Sequence, residues 1–531
     1  MRQTPAMEPV LIAGAGPVGL TAALLLARWQ VPAVVFEAAP APRAAGSRAI
    51  CFQRDVLDIF GRAGCAGDLV AEGVTWTTGR TFYQEHELFT VRFAGPGPGA
   101  LPPWINISQD SVERYLLAQA RREPLIDLRF AHQVTAITRG DDGIEVITTT
   151  PHGRLTFRGT HLIGADGSRS VVRELLGIGF GGRSYDDQFL ICDIRAELPF
   201  PSERRFFFDP SWNPGRQVLV HQCPGGVWRI DWQVPAGFDL AAERRDGRLD
   251  ERVRQITGEA PYEIAWATSY RFSERVAETF TAGRAFLAGD AAHVYAPFGA
   301  RGLNSGVQDA ENLAWKLAFV RHGWSPASLL ASYDTERSAA AAENLKVTVA
   351  TMDFLVPHTP QRRQWRAEVL QRALTDDAAK ALIDSGKLAE PYWYTANPLT
   401  TPATPDRSRG GFPVAPGVPR PPVPGVLCPD GPVLSDGAAT RLRQLFGHSI
   451  VLLTQAAAGA TEAAATAAAA TKAPVTAYSL AEIDVTGALR LALDARDSSV
   501  HLVRPDGHLA AVLPRSEAAA LTAAVARMTG R

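Results

Sequence analysis

The sequence predicts an α/β protein whose first domain is Rossmann-like, followed by an aromatic-rich sheet domain and a smaller α/β portion at the C-terminus. Three observations predict it. A glycine-rich turn joins an apolar strand to an apolar helix near the N-terminus, polar and aromatic residues alternate between about residues 185 and 270, and strand-like runs resume after a cluster of prolines.

Val10 to Ala13 reads as a buried strand, Pro17 to Trp29 as a helix and Ala33 to Phe36 as a second strand, which makes a βαβ unit. Pro9 to Ala27 lacks charge, but Gly14, Gly16, Gly19 and Pro17 interrupt it, which excludes a membrane span or signal peptide. The run Gly14-Ala15-Gly16-Pro17-Val18-Gly19 has the G-x-G-x-x-G form. Gly14 permits the tight turn, Gly16 lets the backbone approach a pyrophosphate, and Pro17 opens a helix whose free N–H groups favour that anion. Gly19 allows close helix–strand packing, and Glu37, ending the second strand, is placed to accept from a ribose. These residues indicate a dinucleotide without deciding between FAD and NAD.

Further on, Ser108 to Arg122 has helical spacing, with Ser108 to Ser111 as cap candidates, and Val134 to Thr150 reads as antiparallel strands turning at Asp141-Asp142-Gly143. His161 to Gly164 is a short buried strand, Gly283 to Leu317 a strand, loop and helix, and Ala339 to Met352 more helix. Prolines cluster between Tyr394 and Pro424, as in an extended connector. The Ala/Thr tract Ala456 to Ala473 sits where a loop is expected and reads as a mobile insertion. Ile450 to Thr454, Val500 to Val503 and Leu509 to Leu513 are strand-like, and a helix closes the chain.

A chain of 531 residues exceeds one core. Its formal net charge of -1 gives no field that would gather nucleic acid or an anionic membrane. Cys51, Cys65, Cys192, Cys223 and Cys428 are scattered without a C-x-x-C pair, so no disulfide framework or metal site is expected, and a reduced, cytoplasmic setting fits.

Two later stretches carry more chemistry: His161-Leu162-Ile163-Gly164-Ala165-Asp166-Gly167-Ser168-Arg169-Ser170 continuing to Arg173, and Arg284-Ala285-Phe286-Leu287-Ala288-Gly289-Asp290-Ala291-Ala292-His293 followed by Pro297-Phe298-Gly299-Ala300-Arg301-Gly302-Leu303-Asn304. With the glycine turn, they make residues 8 to 350 resemble the class A flavoprotein aromatic hydroxylases, typified by para-hydroxybenzoate, phenol and 3-(3-hydroxyphenyl)propionate hydroxylases. Asp290 follows a strand and a glycine, where it can take a ribityl hydroxyl, and the Gly302-Leu303-Asn304 amides can meet the anionic edge of a reduced flavin. The resemblance implies the same contacts. It also implies Asp166-Gly167, with Arg169 and Arg173, as a motif concerned with both FAD and NAD(P)H, Arg48 near the pyrophosphate, Gln109 and Val134 beside the cofactor, and Pro297 and Gly299 lining the flavin.

The family reaction uses NADPH or NADH and O2 to form a C4a-hydroperoxyflavin that hydroxylates a small aromatic substrate. His293, Pro297 and Arg301 are candidates for the reacting pocket, and His221, Trp228 and Tyr295 for the substrate. His293 reads alternatively as a structural histidine packing its loop. Arg301 holds an anionic substrate or phosphate, or forms a surface salt bridge. The expected organisation is an FAD-binding domain over 1–180 that lends part of the sheet near 70–105, a substrate-binding sheet domain over 181–275, and an FAD-domain return with a helical region over 276–395. A linker over 396–424 and a C-terminal domain over 425–531 complete it. The resemblance makes that last domain thioredoxin-like, ending in the hairpin His501 to His508, and lacking dithiol chemistry because no C-x-x-C occurs. The assembly is a monomer or a homodimer. The rival readings are a Baeyer–Villiger, epoxidising or decarboxylative oxygenase of a polycyclic aromatic, and a non-catalytic flavin-binding protein.

Overall fold

Four-residue apolar runs set the centre of the fold. In the computed structural model, which describes residues 7–42, 49–95, 100–403, 412–413, 418–435, 437–514 and 517–531, Val10–Ala13 is buried along its whole length. It pairs in parallel with His161–Gly164 on one side and Ala33–Phe36 on the other. Strands that are apolar on both faces belong in a sheet covered on both sides. The six-stranded sheet runs Thr281–Ala282, Ala285–Leu287, His161–Gly164, Val10–Ala13, Ala33–Phe36, Ile126–Arg129. The helix Pro17–Arg28 begins with proline at its first turn, where no N–H is needed, and buries all but its last residue. It can lie this close because Gly19 has no side chain: a Cβ there would stand 2.0 Å from the Gly14 carbonyl oxygen. The second long helix, Gly302–Arg321, packs beside it.

An eight-stranded sheet forms the second layer, in the order His293–Val294, Tyr262–Ala277, Phe180–Ala196, Val227–Val234, Gln217–Cys223, Arg204–Phe208, Thr78–Tyr83, His86–Arg92. Its last two strands come from early in the chain. Side chains alternate between faces. Trp228, Ile230 and Trp232 point outward into a cluster with Leu249 and Val253 of the helix Arg248–Thr257. Phe189, Phe206 and Phe272 point inward onto Phe298, with ring centroids 5.2, 6.3 and 5.7 Å from it. Each of these fully buried aromatics contributes roughly 1.5–3 kcal/mol of hydrophobic stabilisation, so the sheet is fastened to the Phe298 loop by packing.

The C-terminal unit has a βαβ half, Ile450–Thr454, Ala457–Ala470 and Val475–Ser479, followed by Val500–Val503, Leu509–Leu513 and the helix Ala518–Met528. This is the thioredoxin-like pattern. The Ala/Thr tract is therefore a helix and not a mobile insertion. Alanine has the best helix propensity, and Ala460, Ala463 and Ala467 form a narrow buried stripe that brings the helix against the closing helix and the sheet. The described parts of the proline-rich connector are also packed. Thr401 donates to the Ala510 carbonyl at 2.8 Å, and Gly425 exchanges backbone bonds with Tyr394 and Leu509.

Candidate active site

Four neighbouring parallel strands end side by side, and each is followed by one of the motifs. Gly14 follows Val10–Ala13, Glu37 follows Ala33–Phe36, Ala165-Asp166 follows His161–Gly164, and Ala288-Gly289-Asp290 follows Ala285–Leu287. A crevice beyond the carboxyl ends of such strands is where α/β sheets bind ligands. Gly14 has φ +102°, and a Cβ on it would lie 2.4 Å from the Ala165 carbonyl oxygen, so the first and third loops touch only because this residue is glycine. The Glu37 carboxylate accepts from the amides of Ala15 at 3.0 Å and Ala39 at 2.9 Å, which holds it at the mouth of the glycine turn. Val134 is buried on the strand Gln133–Arg139.

Asp166 is fixed by the Ser170 hydroxyl and by the Val172 amide at 3.0 Å. Burial pushes its carboxyl up, and those donors pull against it. Gly167 has φ +83°, and Arg169 is exposed. Arg173 donates to the carbonyls of Ala291 at 2.9 Å and Ser168 at 3.1 Å, tying the third loop to the fourth. Asp290 itself is exposed. Gln109 is the first residue of the helix Gln109–Ala120 and donates to Glu113 at 2.8 Å, while Ser108 caps the helix. Arg48 lies outside the described residues.

The turn before the helix Gly302–Arg321 is held from both sides. Asn304 donates to the Cys51 carbonyl at 2.9 Å and accepts from the Gln53 amide at 3.2 Å. Gly299, with φ +87°, receives the Ala389 amide at 2.7 Å. Arg301 is not a surface ion pair, and its two terminal nitrogens are taken up within the protein while Nε has no partner among the described residues. It is buried, and its guanidinium donates to Asn344 at 2.6 Å and to the carbonyls of Lys387 and Leu388 at 3.0 and 3.2 Å. Burial brings it down to about 10. Arg301 thus clamps the turn, with Pro297 exposed at its tip and Phe298 seated on the sheet.

His293 is wholly buried, its Nε2 2.7 Å from Asp309 and its ring stacked on Tyr295 at 4.8 Å. That is the position of a histidine packing its loop. Tyr295 is buried beside it, where burial and Asp309 push its phenol up. Trp228 is a correction: it lies on the outer face, edge-on to Phe200 at 5.8 Å, away from the Phe298 turn. The residue alternation that hides it exposes its neighbours to the other side.

On that inner face a polar cluster faces the site. His221 Nδ1 is 3.4 Å from the Asn106 amide nitrogen, and Asn106 also donates to the Gln222 carbonyl and accepts from the Trp76 indole, both at 2.9 Å. Arg229 binds Asp193 through two contacts of 2.6 and 2.7 Å. Arg204 donates to the Ser385 carbonyl. Burial first, then Arg204 and Arg229, bring His221 down to about 3, so it stays neutral. Arg204, Asn106 and Asp231, which belong to this cluster, went unnoticed in the sequence.

The chain matches the model of the FAD binding domain over residues 7–348 and that of the aromatic-ring hydroxylase C-terminal domain over 421–531. It belongs to the FAD-dependent aromatic-ring hydroxylases. The hydroxylase is 28% identical over 404 residues to para-nitrophenol 4-monooxygenase of Pseudomonas sp. (strain WBC-3), covering 72% of this chain and 96% of that protein. It is 33% identical over 363 residues to a flavin-dependent monooxygenase of Mycobacteroides abscessus, covering 63% and 72%. Among solved structures, aklavinone-11 hydroxylase with FAD and aklavinone superposes with a TM-score of 0.79 at 26% identity, covering 100% of both chains.

The residues of this hydroxylase fit FAD. Both long helices start without a side-chain cap, at Gly16 and Arg301, leaving first-turn amides open. Nothing lies within 4 Å of a Cβ built on Gly16 or Gly302, so both helix ends adjoin open space. One suits the pyrophosphate and the other the anionic edge of the flavin.

Proposed function

We propose that this FAD-dependent aromatic monooxygenase hydroxylates a small phenolic ring, taking electrons from NADPH or NADH and oxygen from O2, with the ring between the Pro297–Asn304 turn and the inner face of the eight-stranded sheet. The observation that carries this reading is the inner face itself. It combines aromatic walls, Phe189, Phe206 and Phe272, with a polar patch of buried His221, Arg204 and Arg229 and half-buried Asp231. Apolar walls with a few fixed polar groups are what a phenol needs for burial and orientation.

Bound FAD would supply two-electron acceptance from the nicotinamide and activation of oxygen. Gly14, Gly16, Glu37, Asp290 and the Gly302–Asn304 amides would hold it. Arg301 and Asn304 keep the turn in place, and Phe298, buried against the sheet, helps to exclude water from the reacting ring.

A second reading, a polycyclic substrate, is favoured by one observation: the likeness to aklavinone-11 hydroxylase extends over the full chain and includes the C-terminal domain. The working state is a monomer or homodimer in the cytoplasm, consistent with five free cysteines. Among the described residues no helix is long and apolar enough to cross a membrane.

The test is NAD(P)H oxidation by purified holoprotein against simple phenols, phenolic acids and polycyclic phenols, with product masses recorded. Stimulated turnover with gain of one oxygen on the small rings supports the first reading. The same result confined to polycyclic rings supports the second, and no oxygenated product from any ring overturns both.

A further inference from the structure

We propose that Asp231 is the proton acceptor for the substrate, a carboxylate on the inner face of the sheet that takes the hydroxyl hydrogen of a bound phenol and leaves a phenolate facing the flavin turn. The proposal rests on the phenolic reading above.

Placement is the first argument. In the strand Val227–Val234, Arg229, Asp231 and Gln233 alternate with Trp228, Ile230 and Trp232, so Asp231 projects opposite to the tryptophans. Its cross-strand neighbours are Ile191 and Leu219. Leu219 stands opposite Phe206, whose ring lies 6.3 Å from that of Phe298 in the turn. Asp231 is thus on the face that the flavin turn packs against, two strands from its aromatic anchor Phe206.

Charge is the second. Arg229, two residues away on the same face, grips both oxygens of Asp193. Asp231 is the second acid beside that one cation. Its Oδ1 is buried and makes no hydrogen bond among the described residues, although the residue as a whole keeps partial exposure. A buried carboxylate oxygen without a donor is costly, and a ligand hydroxyl would satisfy it.

Proton affinity is the third. Burial lifts Asp231 to about 7, with Arg229 pulling down and Asp193 pushing up. The other titratable groups around this face come from four further strands. His221 is held neutral, burial pushes the thiols of Cys51 and Cys223 up, and Asp193 is paired with Arg229. Arg204 stays charged, with burial bringing it down to about 10. Asp231 is therefore the group around this face that changes charge near neutrality, the range where a general base works best.

The step balances within the pair. The phenol O–H bond breaks, the proton bonds to the Asp231 carboxylate, and its negative charge passes to the phenolate oxygen. That charge lies beside Arg229, and the ring becomes richer in electrons for oxygen transfer. No further reactant is needed.

The experiment compares wild-type holoenzyme with Asp231→Asn on two ring substrates, a phenol un-ionised at the assay pH and a nitrophenol already ionised there. The expected result is that the ratio of kcat/KM for the un-ionised over the ionised phenol falls about 100-fold in the variant. The ultraviolet phenolate band of phenol bound to oxidised wild-type enzyme is expected to vanish with it. Because the ratio is taken within one preparation, partial misfolding does not move it. An unchanged ratio with the band retained overturns the role of Asp231 while leaving the hydroxylase reading intact. A wild-type enzyme that oxygenates neither phenol overturns the phenolic reading and the proposal together.

Discussion

Arg337 donates through Nε to Asp309 Oδ1 at 2.6 Å, and the other oxygen of the same carboxylate accepts the Gly289 amide at 2.9 Å and meets His293 Nε2 at 2.7 Å. All four residues are buried. The guanidinium of the helix Ala331–Leu355 therefore fixes, through one carboxylate, the two residues that bracket Asp290. Burial pushes Asp309 up, but Arg337 and His293 outweigh it and hold the carboxyl below its usual range.

We predict that Asp309→Asn weakens FAD binding at least tenfold and destabilises the protein by about 3–5 kcal/mol, because Arg337 becomes an uncompensated buried charge. Flavin retained on gel filtration and thermal melting of purified holoprotein check it. Full retention with an unchanged melting temperature would contradict the assigned link.

The same helix is tied to the C-terminal domain. Arg504 grips both oxygens of Glu336 at 2.6 and 2.8 Å, and Lys316 donates to Glu336 at 2.7 Å. Glu336 precedes Arg337, so the C-terminal domain bears on the flavin motif through two adjacent side chains. Arg504→Met is expected to lower stability by about 3–5 kcal/mol and to weaken FAD binding as well. Calorimetry and flavin titration on one preparation test both effects.

Asp231 makes a prediction about pH. Its ordinary value is 3.8 and the folded value about 7, so the folded state holds this proton more tightly than the unfolded chain. Its stabilising contribution is full below the lower value and is lost as pH rises through about 7. Asp231→Asn should therefore gain stability relative to wild type between those limits, by a few kcal/mol at most. Denaturant unfolding at pH 5 and pH 8 measures the difference, and a constant offset would refute it.

Trp228 and His221, both substrate candidates in the sequence, now separate. Trp228→Ala removes a buried ring on the outer face, at a cost of about 3–5 kcal/mol, with KM for the aromatic substrate unchanged. His221→Ala is expected to raise KM with little loss of stability. Steady-state kinetics with chemical unfolding distinguish them, and the reverse pattern would reassign the two faces.

The cofactor cradle was legible because its rules are local. Gly14 and Gly19 are required by close backbone approaches, Gly16 leaves the helix end open, and Asp166, Gly289 and Asp290 follow short apolar strands that can only be central. The face on which Trp228 lies depends on how a whole sheet packs, which no local pattern states. Arg301 was open between an anion-binding role and a surface ion pair because nothing nearby in sequence reports the distant carbonyls of Lys387 and Leu388 that it binds. The alanine tract was misread because low complexity was weighed above helix propensity and the spacing of Ala460, Ala463 and Ala467. Asp231 had a usable signal. Arg229, Asp231 and Gln233 fall in phase with each other and out of phase with Trp228 and Trp232, but only the register against Asp193 of another strand shows that Arg229 serves that acid.

Oxygen transfer from O2 to a phenolic ring is the reaction on which the proposed function stands or falls. Its most direct test is turnover of wild-type holoenzyme with a phenol and NAD(P)H under isotopically heavy oxygen gas, with the product read by mass spectrometry. One heavy oxygen atom is expected in each product molecule. A product carrying oxygen from water, or NAD(P)H consumed with the phenol returned unchanged, would contradict it.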